Sequence, residues 1–96
     1  MNFVALKQGL EKVFESIKTA TDDGTLPSLE DAAQFVKLTQ LFQLQAKEQW
    51  IEEAEDFAHL ATQLLSAVKK GHLEDSVLLV ESLDDAKAYC HRMYQE

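Results

Sequence analysis

The stretch SLEDAAQFVKLTQLFQLQAKEQWIEEAEDFAHLATQLLSAVKK, residues 28 to 70, contains neither Gly nor Pro, and its reading decides the fold. It follows Pro27, opens with Ser28-Leu29-Glu30-Asp31 and closes with Lys69-Lys70-Gly71. Ser28 predicts an N-cap, with Asp31 three residues on in a capping-box arrangement. Gly71 predicts a left-handed C′ residue, and Lys69 and Lys70 suit the negative end of a helix dipole.

An apolar stripe persists through the whole stretch: Ala32, Phe35, Val36, Leu38, Phe42, Ala46, Trp50, Ala54, Phe57, Ala61, Leu64 and Val68. Periodicity alone therefore permits a single helix. At 1.5 Å per residue such a helix would run for about 64 Å. A compact chain of this size has a radius of gyration near ~12–13 Å, so one helix would protrude with its stripe uncovered. A break near Lys47-Glu48-Gln49-Trp50 is expected, dividing the stretch into two helices of roughly twenty residues each.

Two further helices flank it. Residues 2–20 place Phe3, Leu6, Leu10, Val13, Phe14 and Ile17 on one stripe, with Asn2 able to cap and Gly9 inside, expected at a close helix contact. Residues 72–94 carry Leu79, Leu83, Ala86, Cys90 and Met93 on a stripe widened by Val77, Val80 and Tyr94. Ser82-Leu83-Asp84-Asp85 resembles a second cap, where a kink or restart could fall. Residues 21–27, TDDGTLP, form the one clear loop. The fold class expected for residues 1–96 is all-α, one domain, an antiparallel up-down-up-down four-helix bundle. The alternative is three helices with a long central one, paired in a homodimer.

With 96 residues, 46% hydrophobic and 27% charged, the composition is that of a globular chain. The formal net charge of −8 disfavours nucleic acid and anionic membrane surfaces. Its distribution is uneven: six acids and five Lys in residues 1–47, against eleven acids and four basic residues in 48–96. A solvated helix surface accounts for this, and the sharper implication is an acidic face for a protein partner with a basic docking surface. Trp50, Glu52, Glu55 and Asp56 are the candidate interaction residues. Trp50 is also expected in the core at the bundle waist.

A lone Cys90 excludes an internal disulfide and fits an intracellular, cytoplasmic setting. Cys90 lies on the apolar stripe, so a buried thiol is expected. No apolar run reaches the ~18 residues of a membrane span, and no signal peptide is expected from MNFVALK.

No catalytic pattern emerges, and no enzyme activity or cofactor is expected. Asp56 and His59 stand at i and i+3 with Glu52 and Glu55 nearby, half of a bundle di-metal motif. The other half is missing, because Ala88 stands three residues before His91. No metal site is therefore expected.

From Glu52 through Lys70, across Gly71-His72-Leu73-Glu74-Asp75 and along the stripe to Tyr94, the chain resembles histidine-containing phosphotransfer (HPt) domains. That resemblance implies a helical bundle acting in two-component signalling, with a phospho-accepting His followed three residues later by Lys and then Gly. By helix order Gln43 falls near the His position, with Ala46 and Lys47 after it. By local sequence Ala58-His59-Leu60 matches instead, with Thr62 where Lys is expected. Neither placement restores the motif. The resemblance thus implies a degenerate interaction module without phosphotransfer, with His59 the one alternative phospho-acceptor.

Overall fold

The structure, a computed structural model, describes the backbone of residues 2–93 and the side chains of residues 2–89. Four α-helices account for most of it: α1 Phe3–Asp22, α2 Leu29–Leu44, α3 Ile51–Lys70 and α4 Leu73–Met93. A single 3₁₀ turn, Glu48–Trp50, leads into α3. The long stretch is therefore broken where length required, and the bundle measures 35 × 24 × 18 Å.

Each helix begins and ends for local reasons. The Asn2 side chain accepts from the Ala5 N–H at 2.7 Å, and the Ser28 hydroxyl oxygen accepts from the Asp31 N–H at 3.0 Å. Asp31 does not complete a reciprocal capping box with Ser28. Its carboxylate accepts instead from the Ser16 hydroxyl at 2.9 Å, tying α2 to α1. Gly71 (φ 73°) ends α3, with the His72 N–H donating to Ala67 O and the Gly71 N–H to Val68 O. These two bonds are the Schellman pair. Gly24 (φ 78°) ends α1 in the same way, through Thr25 N–H to Ala20 O and Gly24 N–H to Thr21 O. α1 thereby runs two residues past the expected Ala20. α4 runs unbroken through Ser82–Asp85, so no restart occurs there. Helix ends carry only local capping energy, and here Val80 just before the expected break and Leu83 within it are both buried.

The helices form a closed ring in which α1 packs on α2 and α4, and α3 on the same two. Contacts fix the directions. On α1 and α2, Phe14 stacks on Phe35 at 5.6 Å and Phe3 on Phe42 at 5.8 Å, so one numbering rises as the other falls. Lys87 Nζ lies 5.8 Å from the Phe14 ring centroid and Lys18 Nζ 3.1 Å from Asp84 Oδ2, giving α1 and α4 the same opposed sense. The result is the antiparallel up-down-up-down bundle.

Leu6, Ile17, Phe35, Leu64 and Leu83 are fully buried and meet in one core. Burial of each such side chain contributes about 1.5–3 kcal/mol. The α4 stripe is centred on Val80 and Leu83, with Leu79 only half-buried. Thr39 and Ser76 are also fully buried, their hydroxyls donating to Val36 O and His72 O at 2.8 Å. Buried hydroxyls satisfied by a backbone carbonyl three or four residues back add no unpaired polar group to the core.

Candidate functional site

At the end of the bundle where α1 starts, α2 stops and α3 starts, three aromatic rings meet. Phe42 lies in the last turn of α2, Trp50 closes the 3₁₀ turn and Phe3 opens α1. Ring centroids are 5.0 Å apart for Phe42–Trp50, 5.8 Å for Phe3–Phe42 and 6.0 Å for Phe3–Trp50. Lys7 Nζ stands 5.5 Å from the Phe3 centroid, within cation–π range. All three rings are half-buried, so Trp50 sits at the bundle end and not at its waist. The turn fixes this position. Lys47 is extended (ψ 158°), which reverses the chain and sets the indole back against the helix it has just left.

Next to these rings in the chain are three exposed apolar side chains: Val4 (64% exposed), Leu44 (82%) and Ile51 (39%). Packing cannot account for Leu44 at that exposure, since its side chain contributes almost nothing to the core.

Glu52, Glu55, Asp56 and His59 all lie exposed on the outer face of α3. Their spacing of three, four and seven residues puts them in one stripe. Counting Glu48 and Glu53, residues 48–56 hold five carboxylates and no Lys or Arg. Trp50 is separated from this stripe by its turn inward, so the four candidate interaction residues form two neighbouring features and not one cluster. His59 Nε2 is 3.3 Å from Gln63 Nε2. Among the described residues no three His, Cys, Asp or Glu side chains gather as metal ligands. The side chains of Cys90 and His91 lie outside the described residues, and so does the expected burial of the thiol.

The two placements suggested for a phospho-accepting motif differ in setting. Gln43 lies one residue from the end of α2, so Ala46 and Lys47 already belong to the connection. His59 is mid-helix on α3, followed by Thr62, whose hydroxyl donates to Ala58 O at 3.0 Å.

A shallow groove of about 370 Å³ runs between the end of α3 and the start of α4, flanked by Ser66, Lys70, His72 and Asp75. His72 Nδ1 is 3.5 Å from Asp75 Oδ2, both exposed. Among the described residues every buried side-chain nitrogen and oxygen has a hydrogen-bond partner, so no polar group is held in reserve for a ligand there. No described helix is long and apolar enough to cross a membrane.

The chain matches no protein-family model, no curated protein and no solved structure.

Proposed function

We propose that this protein is a helical protein-interaction module that docks a basic, apolar segment of a protein partner on its aromatic end. One observation carries the reading: Val4, Leu44 and Ile51 are exposed within two residues of Phe3, Phe42 and Trp50 in the chain, and residues 48–56 around the turn hold five carboxylates. Binding energy concentrates on a few aromatic anchors such as Trp, with the contacts around them excluding water. The carboxylates steer an oppositely charged partner and set its register more than they add affinity. In this reading the chain is an HPt-like bundle without a phospho-acceptor, recruiting a partner and catalysing no reaction. The support for the HPt element is the sequence pattern from Glu52 onward together with the missing Lys-Gly after Gln43 and His59.

A synthetic amphipathic helix with Leu on one face and Lys on the other provides the test, with Trp50 as the fluorescent reporter. Binding is expected to weaken at least tenfold in Leu44→Asp, and to fall steeply with added salt. Leu78→Asp is the control, because Leu78 is 61% exposed on α4 away from this end. Equal binding by Leu44→Asp and Leu78→Asp, or binding indifferent to salt, overturns the reading.

A further inference from the structure

The three interhelix connections differ in kind. The α1–α2 connection holds Gly24 at φ 78° and Pro27, and the α3–α4 connection holds Gly71 at φ 73°. Each is committed to a turn by residues that break a helix. The α2–α3 connection, Gln45 to Trp50, has no Gly, no Pro and no positive φ. Gln45 (φ −97°, ψ 0°) lies near the helical region and Ile51 (φ −64°, ψ −36°) within it. Lys47 (φ −81°, ψ 158°) and Trp50 (φ −135°, ψ 21°) stand outside the helical region, and Ala46 beside Lys47 belongs to no helix. Returning residues 45–50 to α-helical angles joins α2 and α3 into one helix whose stripe stays in phase through Phe42, Ala46, Trp50 and Ala54.

The register of α2 against α3 fits that alternative. Phe35 meets Phe57 at 5.8 Å and Phe42 meets Trp50 at 5.0 Å. Both pairs are centred on residue 46. Two straightened chains laid antiparallel with a two-fold axis at Ala46 would therefore restore the Phe35–Phe57 pair between copies. A small apolar residue stands at the crossing point, where two backbones approach most closely. The same register sets Glu55 opposite Lys37, Glu52 opposite Gln40 and Glu48 opposite Leu44, so no like charges face each other there. α1 stays with α2 and α4 with α3 through their locked turns, and the α1–α4 seam re-forms between copies.

We infer that the protein forms a domain-swapped homodimer in which residues 29–70 make one continuous helix and each copy's α1–α2 half packs on the other's α3–α4 half. The occupant of the opened half is a second copy of this chain, because only that copy carries the matching register. Exchange requires the α2–α3 hairpin and the α1–α4 seam to open together, so it is slow in the native state and fast near the unfolding midpoint. It does not depend on the partner reading.

The test holds the full chain at high concentration at its urea midpoint and then returns it to buffer. Wild type is expected to yield a species of twice 10.9 kDa. Spin labels at Gln34 and Gln63, diluted with unlabelled chain, should report about 44 Å within a copy in that species, against roughly 10–15 Å in the monomer. Glu48→Pro holds Lys47 extended and places Pro at the first position of a helical turn, so it should cut dimer yield at least tenfold. A Gly-Gly-Ser insertion after Ala46 should do the same by interrupting the long helix, and it serves should the proline variant misfold. Recovery of monomer alone from wild type, a dimer with the short separation, or undiminished dimer in the folded variants overturns the inference.

Discussion

The ring centroids of Phe42 and Trp50 lie 5.0 Å apart across the turn that reverses the chain between α2 and α3. The two residues are eight positions apart, a spacing that on a continuous helix would separate them by about 12 Å along the axis. Within one chain, therefore, their contact exists only while the turn is closed. Phe3, 6.0 Å from Trp50, adds the first residue of α1 to the same cluster. An offset aromatic pair adds about 0.5–1.5 kcal/mol beyond the area it buries.

Trp50→Ala should consequently destabilise the fold by about 2–3 kcal/mol, below the range for a fully buried Trp because the indole is half-exposed. Trp50→Phe should lose no more than about half of that, since it keeps a ring against Phe42. Urea unfolding followed by circular dichroism measures both. A loss under ~0.5 kcal/mol for Trp50→Ala would mean that the turn is held by the backbone alone.

The glycines at 9 and 71 should respond in opposite directions. A Cβ built on Gly9 would meet Leu38 Cδ1 at 3.7 Å, ordinary van der Waals contact, so the close approach expected of this residue leaves room for a methyl group. Gly9→Ala should stabilise by about 0.5–1 kcal/mol, the helix-propensity difference. Gly71→Ala should destabilise by about 1–2 kcal/mol, because Gly71 sits at φ 73° where a Cβ crowds the following carbonyl. Thermal unfolding of the two variants gives shifts of opposite sign. A common sign would contradict the local geometry of one or the other.

These examples also show which parts of the molecule could be read in advance. Helix ends at Asn2, Ser28 and Gly71 follow from short-range hydrogen-bonding chemistry, and a sequence displays that directly. The break before Trp50 has no breaker residue behind it. It follows from the impossibility of covering a 64 Å stripe with one small chain, a tertiary constraint that fixes the existence of a turn but not which ring packs where. Trp50 therefore belonged to the stripe by spacing, yet came to rest at the bundle end. Thr39 and Ser76 escaped the core reading because they are polar. The available signal was position: Thr39 is four residues from Phe35 and Ser76 four from Val80, where a hydroxyl can bond its own helix. In the candidate site, the Glu52–Glu55–Asp56–His59 stripe was legible from spacing. The apolar end was not, because the exposure of Val4, Leu44 and Ile51 depends on where three helices terminate together.

His59 is not expected to carry phosphate. Its imidazole is exposed on the outer face of α3, so access alone does not prevent phosphorylation. No Lys follows it three or four residues on in the chain to neutralise a phosphoryl group on the imidazole: Thr62 and Gln63 stand there, and the carboxylates of Glu52, Glu55 and Asp56 share its stripe. Phosphoryl transfer depends largely on positioning and on neutralising charge at the transferring group. A stripe of carboxylates within one or two turns works against both. Incubation with a phosphorylated response regulator should therefore leave no acid-labile phosphate on the chain. Acid-labile label on wild type that disappears in His59→Gln would establish phosphotransfer and overturn the degenerate reading. Label that persists in His59→Gln would move the acceptor to another residue and leave His59 as part of the solvated face.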